Sequence, residues 1–374
     1  MDPNPASLAA ADEKPADEPA AEAPPAPEAD EATPSEPAAP PTADPAQTYI
    51  AADFAEGKSP LLCCRFDPTG QFVFAGAQDN SVRRWQLDGG QHTALVGGHD
   101  SWVHSLAFDA SGEQLITGGY DGRIVWWSTT AEQPTPVRIV DCAHDGWLRA
   151  MATSPDGKLL ATAGNDNLVK LWSTFDGRLQ QVLAGHTGRV YSVAFHPSGG
   201  LLFSGDLKGF VKRWDIAAAK ETAQFDATPL WKYEGGQGVD FGGVRTLAVS
   251  GDGALLAAGG TTDASNPLGA VHKPIVIVFD ANTGEKKQTH RAKEGFDGSI
   301  WGLRFHPAGF MIAASGGGGG GKLLFFRTTE ANEFFKFDLP ALARDMDLHP
   351  DLLQVAVPMH DAHLRIARLA AKPV

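Results

Sequence analysis

One phrase recurs along this chain and restricts how it can fold. It reads SLAFDASGEQLITGGYDGRIVWW at 105–127, AMATSPDGKLLATAGNDNLVKLW at 150–172 and SVAFHPSGGLLFSGDLKGFVKRW at 192–214. Weaker copies are CCRFDPTGQFVFAGAQDNSVRRW (63–85), TLAVSGDGALLAAGG (246–260), GLRFHPAGFMIAASGG (302–317) and DMDLHPDLLQVAVPMHD (345–361). Aligned on Pro68, Ala110, Pro155, Pro197, Gly251, Pro307 and Pro350, the copies lie 42, 45, 42, 54, 56 and 43 residues apart. Units this small cannot bury a hydrophobic face alone, so neighbours must stack and share a core. Each copy alternates apolar and polar residues in short runs. A Pro/Ser/Asp-Gly turn ends the first run, a tight Asp-Gly or Asp-Asn turn the second, and Trp ends the third, with a weaker fourth run behind.

Period, strand count and the Gly-His and Trp punctuation resemble the WD-repeat (WD40) β-propeller family over residues 48–374. The resemblance implies an all-β fold, a seven-bladed propeller of four-stranded blades. A ring must close. TYIAADF (48–54) is a lone strand and HLRIARL (363–369) ends the chain, so the first strand is expected to complete the last blade as its outermost member.

Residues 1–47 differ in kind. They carry eleven Asp/Glu against the single Lys14, about −10 of the formal −14, together with twelve prolines. Such a segment buries too little apolar surface to offset its chain entropy and reads as a disordered acidic tail. Two roles suit it: a solubilising spacer, or a weak self-ligand for basic residues elsewhere in the chain. The rest is nearly balanced, 30 basic against 34 acidic residues. No apolar run approaches the roughly 20 residues of a membrane span, and MDPNPASLAAADEKPADE lacks the basic and apolar regions of a secretory signal. Net acidity without a basic stripe argues against nucleic acid. Cys63, Cys64 and Cys142 form neither a disulfide framework nor a metal or haem motif. These features point to a reducing, cytoplasmic setting, with no cofactor and no membrane.

Two copies carry an apparent catalytic triad: His99, Thr117, Asp121 and Trp127, and again His144, Thr162, Asp166 and Trp172. An active site has no reason to appear twice. In the family these positions form a buried network that ties the loop before a blade to its inner turn, so the resemblance makes them structural. Blade four keeps His186, Ser204 and Trp214 but has Lys208 where the Asp belongs. Blade one keeps Asp79 and Trp85, with Ala75 in the hydroxyl place and no His. The full network is therefore expected in two blades only.

Other motifs are weak. Gly316–Gly321 with Lys322 fits the start of a phosphate loop, but Leu323 replaces its Ser/Thr and no helix follows, so a flexible turn is expected. HDAH (360–363) offers two imidazoles without further ligands, and no metal is expected. His196, His306 and His349 each precede a turn proline and belong to the repeat. The Cys63–Cys64 pair falls on an inner strand, where free Cys packs as a small hydrophobe. No convergent carboxylate set marks an enzyme.

Function is therefore sought on the rim that, in the family, carries the loops preceding each blade. Seven residues before each turn marker stands an aliphatic: Leu61, Val103, Leu148, Val190, Val244, Ile300 and Ala343. Its neighbours, with the residue before each turn Asp, supply Trp102, His104, Tyr120, Trp147, Arg149, Arg189, Tyr191, Arg245, Trp301 and Arg344, beside Asn165 and Leu207. Trp, Tyr and Arg are the residues that dominate interface hot spots, and Arg favours carboxylate or phosphate. Two insertions, one within 228–241 ahead of blade five and one within 261–273 in place of its tight inner turn, are expected on the same rim as the glycine run. The expected function is a non-catalytic scaffold for a protein or peptide, acidic ones included; the sequence is silent on oligomeric state. The alternative is an enzyme or small-molecule binder using the central channel and the long blade-five loops, for which Asp240, Asp263 and His272 are the loop candidates.

Overall fold

A computed structural model describes residues 42–55, 57–266, 271–293 and 295–371, so most of the acidic tail lies outside the described residues. Seven four-stranded antiparallel sheets follow one another, and in six the strand order is the chain order, inner to outer. They span 61–95, 103–140, 148–184, 190–226, 246–291, 299–339 and 347–369. The last sheet takes its fourth strand from the N-terminus: Thr48–Ala55 pairs antiparallel with His363–Leu369, from Thr48↔Leu369 to Ala55↔His363. Ring closure is as the sequence predicts. Asp53 reinforces it, accepting from His363 Nδ1 at 2.6 Å and Arg365 Nε at 3.0 Å. Contacts begin ahead of Thr48, because the Asp44 amide donates to the Leu369 carbonyl at 2.8 Å. Among the described residues no helix is long and apolar enough to cross a membrane.

The core lies between blades rather than inside them. Cys63, Phe74 and Val82 of blade one pack on Val103, Leu106, Val125 and Trp127 of blade two. Leu61, Cys64, Val73 and Trp85 pack on Ala356, Leu364 and Ile366 of blade seven, sealing the ring. Each rim aliphatic is a knob in this stacking, and all seven are at most 1% exposed. The holes are made by glycine: a Cβ at Gly118 would sit 2.5 Å from Leu148, and one at Gly205 2.4 Å from Val244. Burial in this core pushes the Cys63 thiol up to about 12 and Cys64 well above its ordinary value, as inert packing thiols require.

Polar contacts repeat with the same period. The third-strand residues Arg84, Trp126 and Arg213 each donate to a carbonyl of the next blade, Thr129, Thr174 and Ala281, at 2.6, 2.9 and 3.0 Å. On the turn face, His196, His306 and His349 place Nε2 2.8–3.1 Å from the carbonyls of Gly253, Leu352 and Gly70. These histidines clasp blade four to five, six to seven, and seven to one.

The triad look-alikes are networks. In blade two Trp127 Nε1 donates to Thr117 Oγ1 (2.9 Å), which lies 2.7 Å from His99 Nε2; His99 Nδ1 lies 3.1 Å from Asp121. Blade three repeats this with Trp172, Thr162, His144 and Asp166 at 2.8, 2.7 and 2.9 Å. Burial lowers the His144 pKa, so its imidazole is neutral and can accept on one nitrogen while donating from the other.

Blade four corrects the sequence reading, for its network is complete. Trp214 and His186 both meet Ser204 at 2.7 Å, and His186 Nδ1 reaches Asp206 at 2.8 Å. Blades two and three have glycine at this register, Gly119 facing Val103 and Gly164 facing Leu148 as Asp206 faces Val190. A Cβ at Gly119 or Gly164 would fall 2.7 or 2.6 Å from the histidine Nδ1. Blade four fills that space with the carboxylate itself, so no Asp is needed at Lys208. In blade one Asp79 pairs instead with Arg83 at 2.6 Å, and the buried Trp85 Nε1 has no acceptor among the described residues.

Candidate functional site

The geometry of the rim follows from one irregularity. In five blades the first strand carries a bulge just past the knob: Val103 and Ser105 face adjacent residues Gly119 and Gly118, leaving His104 as the extra residue. Leu62, Arg149, Tyr191 and Trp301 occupy the same place in their blades. A bulge bends its strand and re-aims the extra side chain. Arg245 and Arg344 stand at the matching position just ahead of the pairing of blades five and seven, their amides donating to Gly259 and Pro358. Each blade thus contributes one residue to the mouth of a central channel of about 1260 Å³.

In chain order the ring reads Leu62, His104, Arg149, Tyr191, Arg245, Trp301, Arg344, and from His104 to Arg344 each residue touches the next. Arg149 lies over Tyr191 at 4.3 Å, Arg245 over Tyr191 at 4.6 Å and over Trp301 at 5.4 Å, and Arg344 over Trp301 at 5.4 Å. His104 donates from Nδ1 to the Arg149 carbonyl at 3.0 Å. A second tier rises on one side: Tyr120 stacks on His104 (4.9 Å), on Trp102 (5.8 Å) and, nearly parallel, on Trp147 (4.2 Å). Arg149 joins the tiers, lying 4.9 Å over Trp147 with Nε on Asn165 Oδ1 at 2.7 Å.

Nine of the ten rim residues named from sequence therefore form one connected aromatic and guanidinium surface. Arg189 stands apart, exposed on the loop before blade four. Trp102 and Trp147 are 42% and 43% exposed, so the indoles are not hidden between blades. Burial and the Arg149 charge lower the His104 pKa to about 4, leaving it neutral near pH 7. Sequence reasoning missed Leu62, Gln78 and His360, which also line the channel.

The insertions gather beside this surface. Strands Trp231–Glu234 and Val239–Gly242 form an added hairpin, and Lys232 Nζ reaches the Ala264 carbonyl at 2.7 Å. The second insertion does not replace the inner turn; it lengthens the hairpin, with Thr261↔Pro274 and Thr262↔Lys273 continuing the ladder. Lys273 pairs with Asp297 at 2.9 Å, whose carbonyl holds the Gly319 amide. The glycine run turns between strands as expected, within a tight hairpin that pairs Gly316↔Gly321 and Gly317↔Gly320. The loop candidates for the channel alternative are spoken for: Asp240 accepts from Trp231 Nε1 (2.9 Å), Asp263 pairs with Arg291 (2.8 Å), and His272 donates to the Gly298 carbonyl (2.7 Å). Among the described residues no group of His, Cys, Asp and Glu could hold a metal ion.

A closed ring of seven four-stranded blades with three Trp–hydroxyl–His–Asp networks defines a class of repeat protein. The profile of the family described as WD domain, G-beta repeat matches residues 51–86, 90–128, 135–173 and 177–215. Each match takes the outer strand of one blade and three strands of the next, the stagger that closes the ring. Four consecutive repeats of this chain are thus matched as WD repeats, and the whole of it folds as a seven-bladed β-propeller. It is similar to periodic tryptophan protein 2 of Arabidopsis thaliana, 27% identical over 169 residues, 43% of this chain and 18% of that protein. Polyadenylation factor subunit 2 of Gibberella zeae is 40% identical over 159 residues, 42% of this chain and 25% of that protein. Nuclear distribution protein nudF of Aspergillus terreus is 30% identical over 84 residues, 22% and 18% of the two chains. The matches span a quarter or less of each of these relatives.

Proposed function

We propose that this propeller is a non-catalytic platform that docks a protein or peptide on its aromatic and arginine rim, in the reducing cytoplasmic setting that suits three free thiols. The observation that carries the reading is the connected surface from Trp102 through Tyr120, Trp147 and Arg149 to Arg344. Two exposed indoles held by stacking supply contact area at low entropic cost, because their rotamers are set before a partner arrives. The relatives named a polyadenylation factor subunit and a nuclear distribution protein are in keeping with a role in assemblies.

The test is affinity capture from the native cell extract, read by mass spectrometry, with wild type beside a Trp102→Ala/Trp147→Ala variant whose melt is native. A partner held by wild type and lost by the variant places docking on the rim. Equal capture by both moves it to another surface.

A further inference from the structure

Five arginines line the channel, and they fall into two kinds. Arg65 and Arg304, one tier below the mouth, are each matched by a carboxylate: Asp345 at 2.8 Å and Asp347 at 3.0 Å. Arg149, Arg245 and Arg344, in the mouth itself, meet no carboxylate among the described residues. Arg149 has Asn165; Arg245 has the faces of Tyr191 and Trp301; Arg344 has the face of Trp301, and its Nε is buried with no acceptor among the described residues. Burial pushes the pKa of Arg245 and of Arg344 below its ordinary value, the mark of cations held without compensation. Stacking occupies the flat faces of these guanidiniums and leaves their in-plane N–H groups for an acceptor.

We propose that the channel mouth is a binding site for a phosphomonoester, held by Arg149, Arg245 and Arg344. Three unmatched cations call for more than one negative charge. A phosphomonoester brings about −1.5 to −2 at pH 7 and three acceptor oxygens, where a carboxylate brings one charge and two oxygens. A nucleic-acid backbone is the poorer match, since its single charges are read by cations strung along a surface and these three are gathered in one ring. The phosphate belongs to a side chain of a docked peptide or to a free small molecule. The site deepens the docking reading above and rests on it for the first source only.

The experiment is calorimetric titration of the full chain at low ionic strength with inorganic phosphate, N-acetyl-phosphoserine methylamide and acetate. Saturable one-to-one binding of both phosphates is expected, with acetate about tenfold weaker or more. Arg245→Gln and Arg344→Gln, with native melts, should each weaken phosphate by about tenfold or more, while the remote Lys158→Gln leaves it unchanged. Arg344→Lys, which keeps the charge and loses the fork, should fall between. Tighter binding of the phosphoserine compound than of phosphate assigns the group to a peptide; equal binding assigns it to a free ester. No saturable phosphate binding, acetate as tight as phosphate, or indifference to both Gln variants would overturn the site. If it falls while Trp102→Ala/Trp147→Ala still loses a partner, docking stands without it. If phosphate binds and that variant keeps every partner, the docking reading falls and the phosphate site remains.

Discussion

Replacing Asp206 should damage the propeller far more than replacing Lys208, although the repeat pattern marks position 208 as the one that matters. Asp206 is 1% exposed. One oxygen accepts from His186 Nδ1 at 2.8 Å; the other accepts from the amides of Lys208 and Phe210 at 3.0 and 2.9 Å. Asp206→Ala strands a buried imidazole donor, at about 1–3 kcal/mol, and removes two bonds from amides to a carboxylate, about 1 kcal/mol each once water replaces part of them. The expected cost is about 3–5 kcal/mol, in the range of a broken buried network. Asp206→Asn keeps an acceptor for the amides and should cost about half of that. The Lys208 side chain makes no ion pair among the described residues, so Lys208→Ala should stay within about 0.5 kcal/mol. Urea titrations followed by tryptophan fluorescence and far-ultraviolet dichroism measure all three, compared at unchanged m-value. An Asp206→Ala loss below about 1 kcal/mol, or equal losses at 206 and 208, would refute the claim that Asp206 replaces the missing Asp.

Three further outcomes follow from the same geometry. Ala75→Ser should stabilise blade one by about 1 kcal/mol, because its hydroxyl can accept from the stranded Trp85 Nε1 as Thr117, Thr162 and Ser204 do in their blades; an equal gain from Ala75→Val would remove the hydrogen-bond explanation. His104, with its pKa lowered to about 4, takes up its proton later in the folded than in the unfolded chain. Stability should therefore fall as the pH drops from about 6.5 towards 4, and His104→Gln should flatten that slope in urea midpoints taken at several pH values; parallel slopes would count against it. Residues 1–41 lie outside the described structure, yet they hold ten of the eleven N-terminal acids. As a self-ligand this segment would compete for the mouth, so deleting it should tighten phosphate binding several-fold at low salt and less at high salt; unchanged affinity would leave the solubilising-spacer role.

Most of the architecture was legible because a repeat states its rule several times. Seven turn markers, seven buried knobs and the closing strand could be read by counting, and the structure keeps each in place. Asp206 was not legible, because its carboxylate reaches the histidine from the end of the second strand, at a position that blades two and three leave to glycine, and no spacing rule anticipates that exchange. The second insertion misled for a related reason: Thr-Thr-Asp-Ala-Ser-Asn-Pro reads as turn chemistry, yet Thr261 and Thr262 pair across to Pro274 and Lys273 and prolong a ladder already begun. The rim residues could be named one by one, but their contact depends on bulges, which add a residue without any mark in composition.

Those bulges also separate what the fold needs from what it leaves free. The knob position is apolar in every blade and at most 1% exposed, since it fills a gap in the neighbouring sheet. One residue later the constraint disappears, and the seven blades place Leu, His, Arg, Tyr, Arg, Trp and Arg there. Stacking between blades cannot account for three arginines in that list. A guanidinium needed only to hold blades together is given a carbonyl or a carboxylate, as Arg84 is by Thr129 and Arg65 by Asp345. The mouth arginines are given aromatic faces instead, which fix their positions while leaving their charge unmatched. Such an arrangement costs the isolated propeller stability, through desolvation and mutual repulsion, and the cost is recovered only when an anion enters.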